Sequence, residues 1–147
     1  MFTPADPNWR DRCLASFARM AMMGTLGVEV RAIDPGVVVL GFGHDDRLTQ
    51  QHGLVHAGVL GTVLDSASGW AALSLMPAGF AVLTVEYKLN LLRPAEGARF
   101  EGTSRVVKPG RTLTVAEGVV VETAAPDRPI ATMTATLMAV ANRDITD

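Results

Sequence analysis

HGLVHAGVLGTVLDSASGWAALSLM, residues 52–76, carries one carboxylate, Asp65, inside the most apolar stretch of a 147-residue chain. No proline interrupts the stretch, and Pro77 follows it, so it is expected to form one helix of about five turns that stops there. From Leu54 to Met76 its length would also suit a membrane span. Asp65 and the glycines at 58, 61 and 69 argue against that, because a charge at mid-bilayer is costly. A helix apolar on all sides also suits the centre of a folded domain, and that is the position expected here.

On either side the pattern changes. Asp6-Pro7 opens an amphipathic helix over about residues 6–23, with Trp9, Cys13, Phe17 and Met20 at helical spacing, and it ends near Gly24. GVEVRAI and GVVVLGF, separated by Asp34-Pro35-Gly36, form a hairpin. A polar loop, HDDRLTQQHG, leads into the long helix. Beyond Pro77, VLTVEYKLNLLR sets Thr84, Glu86, Lys88 and Asn90 against Val85, Tyr87, Leu89 and Leu91, the period of a half-exposed strand. ARFEGTSRVV and TLTVAEGVVVE flank Lys108-Pro109-Gly110-Arg111, where Pro-Gly suits a type II turn. PIATMTATLMAV places Thr132, Thr134 and Thr136 on one face and Met133 and Leu137 on the other. The order is helix, two strands, long helix, four strands. It lacks the regular alternation of a parallel α/β fold, so the expected class is α+β, a single domain in which one antiparallel sheet wraps the buried helix.

Composition bounds the function. The chain is 48% hydrophobic and 19% charged with a net charge of -2, which excludes a disordered tail and gives no reason to expect nucleic acid or a membrane as partner. Cys13 is the only cysteine, and MFTPADPNWRDR is not a secretory signal, so a reducing cytoplasm is the expected location. No HExxH or other recognisable ligand cluster suggests a metal.

Asp65 shares its helix face with Gly58, Gly61, Thr62, Gly69 and Ala72. Each internal glycine costs about 1 kcal/mol relative to alanine, so the strip serves either the close approach of a neighbouring strand or subunit, or a slot for a slender ligand with Asp65 at its floor. A buried carboxylate needs partners, and no Lys or Arg lies within four residues of it; Thr62, Ser66 and Ser68 are the nearby donors. His56-Ala57-Gly58 starts the helix, where free N–H groups and the helix dipole can hold a developing oxyanion. Ala57 and Asp65 lie about 12 Å apart along the axis, too far to touch one carbonyl. If they act together, the helix start of one subunit must meet the aspartate of another, in a two-fold dimer.

Gln50, Gly53, HAG at 56–58, Asp65, TVEYKLNLLRPA and VVKPGRTLTVAEGVVVE together resemble the hotdog-fold acyl-CoA thioesterases of the phenylacetate-degradation (PaaI) type, over roughly residues 20 to 140. The resemblance implies a sheet wrapped round a long helix, a homodimer with sites between subunits, and a homotetramer of two such dimers. It implies that Asp65 attacks the thioester carbonyl or activates water, and that the Gly58 and Ala57 amides with His56 hold the thioester oxygen. Gln50 matches an Asn or Gln that orients the water or the carboxylate, and Thr84 matches a Ser or Thr that binds water near the site. Lys108 and Arg111, with Arg93 as a weaker candidate, fall where basic residues meet the phosphates of coenzyme A, which enters as part of the substrate; no separate cofactor is implied. Two departures stand out. Ala57 replaces the middle residue of the family's common His-Gly-Gly, and Gly69 stands where some relatives place a Ser or Thr.

Two other readings remain open on the sequence. A hotdog dehydratase acting on 3-hydroxyacyl thioesters would use His56 as its base. A non-catalytic acyl-CoA-binding domain would keep the basic hairpin and use Asp65 structurally. Within the hydrolase reading the acyl group, aryl or medium-chain, is not legible.

Overall fold

The computed structural model describes residues 2–141 and residue 145. Two short helices come first, α1 (Trp9–Arg19) and α2 (Ala21–Leu26), then β1 (Glu29–Asp34) and β2 (Val37–Gly43). A single 3-10 turn, Asp46–Leu48, precedes α3 (Ala57–Leu73), and four strands follow: β3 (Phe80–Leu91), β4 (Arg99–Lys108), β5 (Leu113–Glu122) and β6 (Ala125–Ala141). They form one six-stranded sheet in the order β1-β2-β4-β5-β6-β3, with every neighbouring pair antiparallel. This is the hotdog fold, with α3 as the wrapped helix.

α3 lies close to the sheet because the strands facing it carry glycine. A Cβ on Gly102 would sit 2.8 Å from Val63 Cγ1, and one on Gly118 would sit 3.0 Å from Leu64 Cδ2. Val63, Leu64, Ala67, Ala71 and Leu73 are fully buried in the resulting core, together with Leu40, Val120, Ala135 and Leu137. Burial of such side chains stabilises by roughly 1.5–3 kcal/mol each for the larger aliphatics, which offsets the cost of glycine in strands. A buried polar link crosses the same interface, Ser68 Oγ to Ser104 Oγ at 3.1 Å and Ser104 Oγ to the Leu64 carbonyl at 3.3 Å.

Three local expectations need correction. The single helix over 6–23 is two helices: Met20 has φ -81° and ψ 98°, and this extended residue breaks the run. Asp6 does not cap α1 at its start but accepts from the Asn8 amide at 2.8 Å, and the helix begins at Trp9. Gly110 is not among the glycines with positive φ, so the hairpin after Lys108 lacks the type II geometry. Glycine is required there for another reason, since a Cβ would lie 2.0 Å from the Leu113 carbonyl oxygen.

α1 runs antiparallel along α3. Arg12 donates to the carbonyls of Pro77 at 2.6 Å, Met76 at 2.7 Å and Leu73 at 3.0 Å, so a cation caps the negative end of α3. Asp6 pairs with it at 3.4 Å, and the two side chains are only 10% and 6% exposed. Phe17 then packs on Trp70 with ring centroids 5.1 Å apart, Trp70 Nε1 donates to Ser16 Oγ at 3.2 Å, and Cys13 is buried beside them. Arg12→Met leaves Asp6 as an uncompensated buried charge and takes the guanidinium donors from the Met76 and Pro77 carbonyls. It is expected to lower the unfolding free energy by about 3 kcal/mol. For a chain of this size that is a Tm drop of about 6–12 °C in calorimetry. A drop below about 2 °C would show that the cluster contributes little.

Candidate active site

β3 is the edge strand that lies along the glycine face of α3, and a bulge decides which of its residues face the helix. Thr84 pairs with Leu137 but Glu86 pairs with Thr136, so Val85 is an extra residue. The alternation therefore changes phase. Val82 and Thr84 face α3 before the bulge, Tyr87 and Leu89 after it, and the simple period expected for this strand fails at Val85. A Cβ on Gly69 would lie 3.8 Å from Val82, and one on Gly61 would lie 3.5 Å from Leu89 and 3.8 Å from the Tyr87 hydroxyl. These are ordinary van der Waals distances, so the strand packs against both positions without itself excluding a methyl group there.

Thr84 is where the strand meets the carboxylate. Its hydroxyl donates to Asp65 Oδ1 at 2.7 Å. The three neighbours considered from sequence are occupied elsewhere: Thr62 donates to the Gly58 carbonyl at 2.8 Å, Ser66 to Met20 Sδ at 3.7 Å, and Ser68 to Ser104. Asp65 is half-buried, and among the described residues no cation lies within ion-pair distance of it. One oxygen is thus held by Thr84, and the carboxylate keeps acceptor capacity that no neighbouring charge consumes.

The start of α3 is built by His56. It is the N-cap, with φ -64° and ψ 138°, and its Nδ1 accepts the Gly58 N–H at 2.9 Å. A ring that accepts at Nδ1 is neutral with its proton on Nε2. The Val59 amide bonds the His56 carbonyl at 2.9 Å. The Gly58 donor expected to be open is therefore taken by the ring, and Ala57 retains the first-turn N–H without a partner among the described residues. A Cβ on Gly58 would meet His56 Nδ1 at 3.0 Å, so glycine there leaves room for the cap.

His56 and Gly58 open onto a cleft of about 370 Å³, with Val59 and Thr62 of α3, Met22 and Leu26 of α2, and Arg47, Leu48 and Thr49 of the preceding loop. Arg47 was not foreseen from the sequence. It bonds Asp45 at 2.6 Å and, through this hydrogen bond above all, holds that carboxyl down at about 2, so the ion pair at the cleft mouth stays charged from neutral to strongly acidic pH. Gln50 lies in the same loop, half-buried, with its side-chain oxygen accepting the His52 amide. His44 and His52 are exposed loop residues, as expected.

The basic candidates are divided. Arg111 lines a second cleft of about 240 Å³ with Met76, Phe80 and Thr114, at the C-terminal end of α3, and Lys108 is exposed at the end of β4 nearby. Arg93 donates to the Pro129 carbonyl at 2.6 Å beyond the other end of β3, about 35 Å away along the strand. Val55 N–H bonds the Ala95 carbonyl at 3.2 Å, so Arg93 belongs to the His56 end. Among the described residues no group of three or more His, Cys, Asp or Glu converges, and no helix is long and apolar enough to cross a membrane.

Comparison with known proteins agrees with the fold. The thioesterase superfamily profile matches residues 52–123, which spans the helix start, Asp65 and Thr84. A thioesterase family protein from Silicibacter pomeroyi, known as a crystal structure, is 52% identical, with 91% of this chain and 99% of that one covered and a TM-score of 0.88. The PaaI protein of the Escherichia coli phenylacetic acid degradation operon shares the fold at 19% identity, with 94% of this chain and 97% of that one covered and a TM-score of 0.84. A Halobacterium salinarum protein that carries an esterase name is 35% identical over 101 residues, 65% of this chain and 66% of that one. The chain spans less than two thirds of the length of the curated relatives it matches, 61% to 66%. The chain belongs to the thioesterase superfamily.

Proposed function

We propose that the protein hydrolyses an acyl-CoA thioester, aryl or medium-chain, to the free acid and coenzyme A, in sites formed between two subunits. The observation that carries this is the Asp65 carboxylate, hydrogen-bonded by Thr84 and with no cation at ion-pair distance among the described residues, on the same helix as an open first-turn amide about 12 Å away. One chain holds both halves of a hydrolytic site and cannot bring them together. A two-fold axis beside β3 would do so. That edge exposes Leu83, Val85, Tyr87 and Leu91, each 45–54% accessible, along backbone with no strand neighbour on its outer side among the described residues. Antiparallel pairing of two such edges sets the C-terminal end of one α3 beside the start of the other. Asp65, Lys108 and Arg111 then come from one subunit, His56 and Ala57 from its partner.

In the reaction Asp65 either attacks the thioester carbonyl or takes the proton of an attacking water. The Ala57 amide and the His56 Nε2–H stabilise the oxyanion as the carbonyl becomes tetrahedral. Collapse expels the coenzyme A thiolate, leaving the free acid on the general-base route; on the nucleophilic route it leaves an acyl-Asp65 anhydride that water then hydrolyses to the acid and the free carboxylate. In this reading Gln50 orients water near the helix start, and Lys108 and Arg111 of the basic hairpin meet the phosphates. Engagement of His56 Nδ1 by the Gly58 amide weighs against the dehydratase reading, which needs that ring as a base.

Thiol release from a panel of aliphatic and aromatic acyl-CoAs tests the reaction. Val85→Lys tests the assembly, because lysine on an exposed edge disfavours strand pairing. It is expected to convert the dimer to a monomer in sedimentation and to lower turnover at least about tenfold. A monomeric variant with full turnover would defeat the two-subunit site.

A further inference from the structure

Resting on the hydrolase reading, we propose that α2 forms the wall that measures the acyl group, and that Met22 and Leu26 determine its length, the preferred substrate carrying an uncharged alkyl acyl chain. The course of the N-terminal segment puts these residues there. Arg12 fixes its start to the far end of α3, Ser16 and Phe17 meet Trp70, and Met20 at the break accepts from Ser66, the residue after Asp65. The break redirects the chain. α2 then lies over the first two turns of α3, where Met22 and Leu26 face Val59, Thr62, His56 and Gly58 across the cleft.

Met23 holds α2 in place, being 1% exposed in the core, while Met22, one position earlier and turned outward, is 51% exposed. Gly27 in the left-handed conformation ends the helix, and Val28 N–H bonds the Met23 carbonyl at 2.9 Å, so the C-terminal end of α2 is capped. Met22 lines this cleft, whereas Met20 sits at the helix break, Met23 in the core, and Phe80 in the second cleft with Arg111.

The Thr49, Thr62 and Arg47 side chains of the cleft already have partners, and the His56 Nε2–H is left for the thioester oxygen. Thr49 donates to the Asp46 carbonyl and Thr62 to the Gly58 carbonyl, each at 2.8 Å, and Arg47 is paired with Asp45. An alkyl chain between Met22, Leu26, Leu48 and Val59 therefore strips no unpaired donor of water. The volume, about 370 Å³, is near the lower end for small-molecule sites, which suits one chain of limited length. Methionine is a flexible wall for such a chain.

The test uses S-alkyl-coenzyme A thioethers of increasing chain length, which bind without being hydrolysed, in calorimetric titration of the full-length protein. Affinity is expected to rise about fourfold per methylene and then level off when the cleft is full. Met22→Trp should move the levelling point to shorter chains and Met22→Ala to longer ones; Leu26→Ala should act like Met22→Ala. Unchanged helical circular dichroism checks that each variant folds. A levelling point that is the same in all four proteins, or affinity independent of chain length, overturns the proposal. Because binding is read apart from thiol release, a protein that sorts chains yet releases no thiol would sink the hydrolase reading and leave the α2 wall standing.

Discussion

Asp65→Asn is expected to lower kcat for thioester hydrolysis by about 10³-fold, the scale at which a positioned general base or nucleophile contributes, with little change in Tm. Asparagine is nearly isosteric and keeps an oxygen that can accept from Thr84, so the link between β3 and α3 survives. Asparagine has neither the charge to attack a carbonyl nor the basicity to take a proton. A buried carboxylate held only for structure behaves in the opposite way. Loss of the folded dimer with the substitution, or turnover within tenfold of wild type, would remove Asp65 from the chemistry. The measurement is thiol release at matched dimer content, with the melting curve recorded on the same samples.

Asp65 was conspicuous in the sequence because the surrounding residues are apolar or small, and that contrast is local. Its partner was harder to see. Thr84 is 19 residues away, and it reaches the carboxylate where a bulge at Val85 shifts the phase of β3. Period-two patterning assigns the strand correctly and has no means of registering one extra residue. The central helix and the sheet were legible for a related reason: continuous apolarity, turn residues and alternation are properties of neighbours in sequence. Arg12 is the contrary case. In sequence it is one more charge on an amphipathic helix, yet it caps carbonyls more than 60 residues on, and only the packing of α1 against α3 shows that its charge is buried. Met20 reads as one more apolar position in the periodic run of α1, whereas its backbone leaves the helical region and thereby creates the α2 wall. The Gly58 amide was assigned as an open donor from the helix start alone. A histidine at the N-cap uses it first.

That last contact makes Ala57 the sharper probe of the helix start. Ala57→Pro removes one N–H and little else, since proline is well tolerated at the first position of a helix and His56 already has the extended backbone that precedes proline. Loss of a single oxyanion donor costs about 10²–10³ in kcat, and that loss is expected here with the helix and dimer intact. The same substitution decides whether sites span two subunits. In a hybrid dimer of one Ala57→Pro chain and one Asp65→Asn chain, one site receives both altered residues and the other receives both native ones. Random mixing of two inactive homodimers should then restore about a quarter of wild-type turnover, half the dimers being hybrid and half of their sites intact. Sites contained within one chain would restore nothing, because every chain in the mixture carries a lesion. Recovery after unfolding and refolding the mixed proteins, and none after refolding either alone, is therefore the result expected if α3 of one subunit supplies the oxyanion donor and α3 of its partner the carboxylate.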